Sequence, residues 1–223
     1  MSLDILKELD IEKMREVFLK YTRKAFKILP VMKNPSILDI GCGSGTPTIE
    51  LARLSAGKIT GIDIDQAALD RFKSKVEKEG LSSRIRILNR SIYNTDFSTE
   101  SFNLIWDEGV LHILNTKKSL VECNRILKIN GFLVAGELIK WINNNLEVFP
   151  KCGFNLINKF FLPEECWWRE YYLPMEKKIK ELRSKFKQPK ELEKLKSYES
   201  EINMVKKNPK EFDCAFYIFQ KVT

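Results

Sequence analysis

The 223-residue sequence predicts an α/β fold: a doubly wound, mostly parallel seven-stranded sheet with a helical insertion between its last two strands. Three observations carry that expectation. From residue 37 onward short apolar strands alternate with helical stretches, which requires crossover connections and helices on both faces of a sheet. The first strand runs directly into Gly41-Cys42-Gly43-Ser44-Gly45, a glycine turn that opens a helix. The final alternating, aromatic run, Cys214 to Phe219, stands apart from the strand before it by the Lys/Glu-rich segment 163–210.

Residues 1–36 read as a helical cap, because Met14, Phe18, Tyr21, Ala25 and Leu29 recur at threes and fours in one apolar stripe. Strand 37–40 leads to helix 47–55, with Pro47 in the first turn, where a missing N–H costs nothing. Strand 58–63 leads to helix 66–79, capped by Asp65 and ended by Gly80. Strand 84–89, an irregular stretch, strand 102–106, helix 116–128 and strand 132–136 follow. After Glu137 the pattern loosens through the polar piece Trp141 to Asn145, and strand 154–162 completes an α/β core over 37–162. Within 163–210, Ile179, Leu182, Phe186, Leu192, Leu195 and Ile202 predict two helices broken near Gln188-Pro189. Residues 211–223 supply the last strand.

The glycine turn lets backbone N–H groups at a strand–helix junction approach a nucleotide-like ligand. Asp63, eighteen residues past Gly45, ends the second strand with a carboxylate suited to both hydroxyls of a ribose. The spacing is not the G-x-G-x-x-G of dinucleotide sites, and Asp39 stands two residues before the first glycine. That acid would repel a pyrophosphate and attract an ammonium. S-adenosylmethionine has an ammonium, a sulfonium, a ribose and no phosphate, and it is the cofactor these residues predict. Ligands of such sheets lie outside the carboxyl ends of the strands. The expected cofactor-binding set is therefore Asp39, Gly41, Cys42, Gly43, Gly45, Asp63, Ile64, Ser91, Ile92 and Asp107. Tyr21 of the cap is added only by the resemblance below, which implies a helix over the cofactor, and reads equally as core packing.

Residues 37–137 resemble the class I S-adenosylmethionine-dependent methyltransferases that act on small molecules. Beyond the glycine loop the likeness runs through Phe102 to His112, similar to the family's fourth strand and following turn, and through Arg125 to Val134, similar to its next helix end and fifth strand. Leu162-Pro163 with Cys166-Trp167 and Tyr171-Tyr172 is similar to a motif of a microbial subgroup. The resemblance implies a Rossmann-like sheet whose sixth and seventh strands form a hairpin, so 163–210 becomes an insertion and a candidate lid or substrate wall. It also implies that the helical stretch between strands five and six is cut short here. Ser91 departs from the family, which commonly has an acid there for the adenine amino group; a serine accepts that bond without charge assistance.

Methyl transfer from a sulfonium asks for orientation and exclusion of water, and for a base only when the acceptor begins protonated. His112, the single histidine, and Glu108 follow the fourth strand and are the candidate catalytic residues. Trp167, Trp168, Tyr171 and Tyr172 are the candidate substrate-binding wall. Five cysteines without a C-x-x-C spacing, and one histidine, give no metal-ligand pattern and suit a reduced, cytoplasmic protein. No apolar run is long enough to span a bilayer, and Met1-Ser2-Leu3-Asp4 does not begin a secretory signal. The net charge of +8 is concentrated in 177–196, where nine bases face three acids, and reads first as a solvated helix face. The expected partner is a small-molecule acceptor, and the chain a monomer or homodimer. Two alternatives stay open: an RNA-directed methyltransferase gripping phosphate with that segment, and a non-catalytic S-adenosylmethionine-binding protein. Against the first, the turn after strand four is Asp-Glu-Gly-Val, where adenine-methylating enzymes carry a proline-rich turn.

Overall fold

The computed structural model describes residues 5–186 and 188–222. The reading of the first four residues, and those at Lys187 and Thr223, lie outside the described residues. Two compact units divide the described residues: 19–161 with the last strand, and 5–18 with 162–213.

The larger unit holds one seven-stranded sheet in the order β3-β2-β1-β4-β5-β7-β6. Its strands are β1 (Ser36–Ile40), β2 (Lys58–Asp63), β3 (Ile85–Asn89), β4 (Phe102–Glu108), β5 (Leu127–Leu138), β6 (Phe154–Phe161) and β7 (Cys214–Lys221). The first five pair in parallel, and β7 runs antiparallel to both β5 and β6, so the hairpin expected of the last two strands is present. Chain order reverses between β1 and β4, which opens a crevice at their carboxyl ends. One face is covered by α3 (Leu19–Ile28) and α4 (Thr46–Leu54). On the other, Leu120, Cys123 and Ile126 of α6 (Thr116–Ile126) pack with Leu38, Ile105, Leu133, Tyr217 and Phe219 in a mainly apolar layer. Helix α5 (Gln66–Lys78) begins at Asp65, whose carboxylate accepts the N–H groups of Ala67 and Ala68, as its sequence predicts.

The structure corrects several element boundaries. The cap is not one helix: α1 (Ile5–Leu9), α2 (Ile11–Arg15), a 3-10 turn at Glu16–Phe18 and α3 succeed one another. Asp10 takes φ +47° and caps Lys13 N–H with its own side chain, a local bond that overrides the apolar stripe. The unit boundary then falls at Phe18 rather than at residue 36, so this stretch belongs partly to each body. Helix α6 stops two residues early because Leu127 is already extended and paired with Phe102. Lys221, nearly buried, donates to the carbonyls of Asn124 and Leu127 and so satisfies that helix end. The stretch after β5 is not merely loose but forms two short helices, α7 (Ile139–Asn145) and α8 (Val148–Lys151).

In the smaller unit, 163–210 forms more than two helices. A π turn at Trp168–Tyr172 leads into α9 (Leu173–Lys185), followed by α10 (Pro189–Glu193), α11 (Lys196–Lys207) and a 3-10 turn at Pro209–Phe212. The break near Gln188-Pro189 is where the sequence predicts it, and Leu195 closes a second break. Among the described residues no helix is long and apolar enough to cross a membrane.

Candidate active site

The glycine loop is held from three sides. Cys42 N–H donates to Ile62 O at 3.1 Å, Gly45 N–H to Cys42 O at 2.8 Å, and Gly43 N–H to Asp63 Oδ2 at 2.8 Å. Gly45 has φ +81°, and a Cβ there would stand 1.9 Å from the Phe72 ring of α5, so only glycine allows loop and helix to meet. Gly43 has φ +51°, yet a Cβ there would meet nothing within 4 Å. The packing therefore does not need the space above Gly43, which is open for a ligand. Lys75 of α5 donates to the Ser44 carbonyl at 3.1 Å and closes the far side of the loop.

Asp63 keeps acceptor capacity beyond its bonds to Gly43 and Asp65 N–H, since each carboxylate oxygen can take a second donor. Asp39 is 2% exposed and accepts the Thr48 hydroxyl at 2.5 Å. The register places Asp39 opposite Trp106, and Glu108 lies two residues along β4 on the same face. Glu108 Oε1 accepts from Thr22 Oγ1 and Trp106 Nε1, both at 2.8 Å, while Oε2 accepts no bond among the described residues. Burial pushes the Asp39 carboxyl up to about 8, the Thr48 bond opposes this, and the charges of Glu108 and Asp63 add to it. Burial likewise pushes Glu108 up to about 7, against the bonds from Thr22 and Trp106. Three carboxyls thus gather where β1, β2 and β4 end, with the charges of Glu108 and Asp63 bearing on Asp39, a field that favours a cation once they ionise.

The opposite face of β4 carries a second group. His112, on the 3-10 turn Leu111–Ile113, places Nδ1 2.9 Å from Glu137 Oε2 and donates its backbone N–H to Glu137 Oε1 at 3.1 Å. A carboxylate only accepts, so Nδ1 carries the imidazole proton and Nε2 is the basic nitrogen. The Glu137 bond raises the His112 pKa above its ordinary value, against a smaller effect of burial. Asp107 does not point into the crevice: it is fully buried and caps Val110 and Leu111 N–H with Oδ1. An assignment of its side chain to the cofactor has to give way to that inward role.

The remaining expected residues divide by accessibility. Ile64 stands 74% exposed beside Asp63, and Tyr21 is half-buried with Lys20 Nζ 4.9 Å from its ring centroid. Gly41 closes against Val110, tying the loop to the turn after β4. Cys42 and Ile92 are buried, the first against Gly61 and the second in the apolar layer, so only their backbones are available to a ligand. Ser91 accepts Tyr93 N–H and closes its own turn. In the smaller unit Tyr171 and Tyr172 are buried, Trp167 and Trp168 half-buried. The π turn departs from the α-helical pairing expected there: Trp167 contacts both Tyr171, at 5.5 Å, and Tyr172, at 6.1 Å, and lies 4.2 Å from the Phe18 ring. Trp168 instead has Lys206 over its ring.

Sequence reading missed Glu137, Thr22, Thr48 and Lys75 as site residues. Glu137 had a usable signal, an acid at the carboxyl end of a strand, as at Asp63. Among the described residues no cluster of three His, Cys, Asp or Glu side chains could hold a metal ion.

This sheet order, with a glycine loop after β1 and an acid ending β2, is the arrangement that the resemblance to class I S-adenosylmethionine-dependent methyltransferases leads one to expect. Residues 37–131 match the family described as Methyltransferase domain. Human EEF1A lysine methyltransferase 2 is 29% identical over 138 residues, 58% of each chain. The chain spans about half the length of the curated relatives it matches, 44%, 47% and 58% for three of them. Among solved structures, the [4+2]-cyclase SpnF superposes with a TM-score of 0.76 at 18% identity, over 92% of this chain and 81% of that one. A putative sarcosine dimethylglycine methyltransferase from Galdieria sulphuraria gives a TM-score of 0.76 at 17% identity, over 93% and 88%. These likenesses establish the fold.

Proposed function

We propose that this chain transfers a methyl group from S-adenosylmethionine to a small-molecule acceptor, in the cytoplasm, where its five free cysteines stay reduced. The observation that carries the reading is the open space over Gly43 beside Asp63, next to the buried carboxyls of Asp39 and Glu108, whose ionised forms a cationic ligand would favour. The loop backbone from Gly41 to Gly45 and the Asp63 carboxylate would hold S-adenosylmethionine, with Ile64, the backbones of Cys42 and Ile92, Ser91 and Tyr21 about its adenosine. When bound, it supplies a sulfonium methyl, an electrophile that needs no further activation.

The chain's own residues would orient the acceptor and manage its proton. Glu108 is fixed through Oε1 and offers Oε2 to an acceptor hydroxyl or amine. With a pKa near 7 it passes between a donor and an acceptor of hydrogen bonds in the working range. His112 Nε2 is the second candidate to take a proton, held by Glu137. Trp167, Trp168, Tyr171 and Tyr172 remain the proposed wall of the acceptor site. The name of one fold neighbour, geranyl diphosphate C-methyltransferase, and of another, phosphoethanolamine N-methyltransferase 2, support a small acceptor. The basic insertion gives little support to an RNA acceptor, because several of its bases are paired within their own unit: Lys180 and Lys206 with Glu176, Arg183 with Glu199, Lys194 with Glu191.

The test is calorimetric titration with S-adenosylmethionine, followed by a screen of metabolite extracts for a labelled methylated product. Binding without any product across such extracts would favour a non-catalytic cofactor-binding protein.

A further inference from the structure

We propose that Asp107 and Glu137 share one proton across the buried side of β4 and β5, and that this pair is what holds His112 as an Nδ1–H imidazole with Nε2 bare. The two side chains are 0% and 1% exposed. Asp107 Oδ1 takes the N–H groups of Val110 and Leu111, both at 3.1 Å, but Oδ2 is buried with no donor. Glu137 already accepts from three donors: His112 N–H, His112 Nδ1–H and Leu138 N–H at 3.3 Å. The Asp107 carboxyl meets that of Glu137, and no Lys or Arg pairs with either among the described residues. Two ionised carboxylates in contact here would leave Oδ2 unsatisfied and facing a like charge. A proton on Asp107 Oδ2, donated to Glu137, removes both faults at once.

The proton belongs on Asp107 because its outer oxygen has no other donor, whereas Glu137 as a carboxylate already accepts three and has room for one more. Burial and the Glu137 charge raise the Asp107 pKa well above the carboxylate range, in agreement. Also against the pair, among the described residues, is the Cys123 thiol of α6, kept protonated by burial. The pair therefore presents one negative charge to His112. Asp107 acts through Glu137 and is a positioning residue.

The use of this arrangement rests on the methyl-transfer reading; the arrangement itself does not. In that use, an acceptor O–H or N–H bond breaks and an N–H bond forms at Nε2. The resulting imidazolium faces the Glu137 carboxylate, and Asp107 keeps its proton.

His112 is the only histidine of the chain, so its nitrogen and carbon NMR signals report pKa and tautomer without assignment. The experiment compares wild type, Asp107→Asn and Glu137→Gln across pH. Asparagine copies the protonated acid, its Oδ1 keeping the backbone bonds and its amide N–H donating to Glu137. Asp107→Asn should fold, keep the Nδ1–H tautomer and titrate within about half a pH unit of wild type. Glu137→Gln should titrate about one pH unit or more lower and lose the single tautomer. A fall of about one unit in Asp107→Asn would mean that Asp107 is charged in the wild type, and the proposal fails. It fails equally if Asp107→Asn does not fold, or if Glu137→Gln leaves pKa and tautomer unmoved. Turnover enters none of these readings, so a wrong acceptor or an absent activity would show separately.

Discussion

The backbone N–H of Gly43 donates to Asp63 Oδ2 at 2.8 Å, which ties the acid ending β2 to the loop leaving β1. Asp63 therefore shapes the loop as well as offering a carboxylate to a ribose. Asp63→Ala should weaken S-adenosylmethionine binding by about 1.5–3 kcal/mol, the range for a hydrogen bond to a charged group. It should also raise amide exchange at Gly43, which a ribose contact alone would not do. Gly43→Val should abolish binding, because its side chain fills the open space and the backbone at φ +51° is one a β-branched residue rarely adopts. Calorimetry with unchanged affinity in both variants would contradict the cofactor site.

Asp39 gives the site a pH dependence whose sign follows from burial. Its folded pKa, about 8, lies above the ordinary value of 3.8, so its contribution to stability is full below 3.8 and is lost as pH rises through 8. A cationic ligand favours the ionised form. Binding should tighten from pH 6 toward about 8.5 and release protons near pH 7. Titrations in two buffers of different ionisation heat would count them. Asp39→Asn should bind more weakly, release fewer protons and melt higher than wild type at alkaline pH.

The glycine loop, Asp63 and Glu108 could be read from sequence because strand–helix alternation alone fixes which residues end strands. Glu137 could not be paired with His112 that way: the two are 25 residues apart and meet through sheet register and the 3-10 turn after β4. Thr22 was hidden as a polar residue inside an apolar stripe, though it is fully buried to reach Glu108. The π turn at Trp168–Tyr172 was invisible because one residue added to a helical turn changes its phase without changing its composition.

His112 Nδ1–H donates to Glu137 in either protonation state, and the charged form adds a pH-dependent contribution to stability. Its folded pKa lies above the ordinary 6.5, so that contribution is complete below pH 6.5 and disappears as pH rises through the folded value. His112→Gln should fall further below the wild-type melting temperature at pH 5.5 than at about pH 9. If the acceptor begins protonated, the same variant should lose about 10²–10⁴-fold in turnover with cofactor affinity unchanged. An unaltered rate and pH profile would leave Glu108, or no base at all, in that role.

Reversing the charges of Lys185, Lys187 and Lys190 together separates a solvated face from a phosphate grip. Turnover and cofactor binding should hold in the triple variant. Retention of the wild type on an RNA column at physiological salt, lost in the variant, would instead support an RNA acceptor.

The four aromatics after Cys166 do not share one role. Tyr172 is buried and donates its hydroxyl to Glu201 at 2.6 Å, and Tyr171 is buried with its ring edge-on to Tyr172 at 4.9 Å. Trp167 lies 4.2 Å from Phe18, within the same unit. These three fasten residues 5–18 and the insertion into one small core. Tyr171→Ala and Tyr172→Ala should each destabilise by about 3–5 kcal/mol, as large aromatics removed from a core do. Tyr172→Phe isolates the Glu201 bond and should cost about 1.5–3 kcal/mol. Trp168 has no comparable enclosure, being half-buried with Lys206 Nζ 5.5 Å from its ring centroid. It is the residue of the four able to meet an acceptor without dismantling this core. Trp168→Ala should leave melting temperature and cofactor affinity nearly unchanged and lower turnover at least tenfold. If turnover holds as well, all four aromatics are anchors, and the acceptor is walled by residues of the larger unit around Glu108.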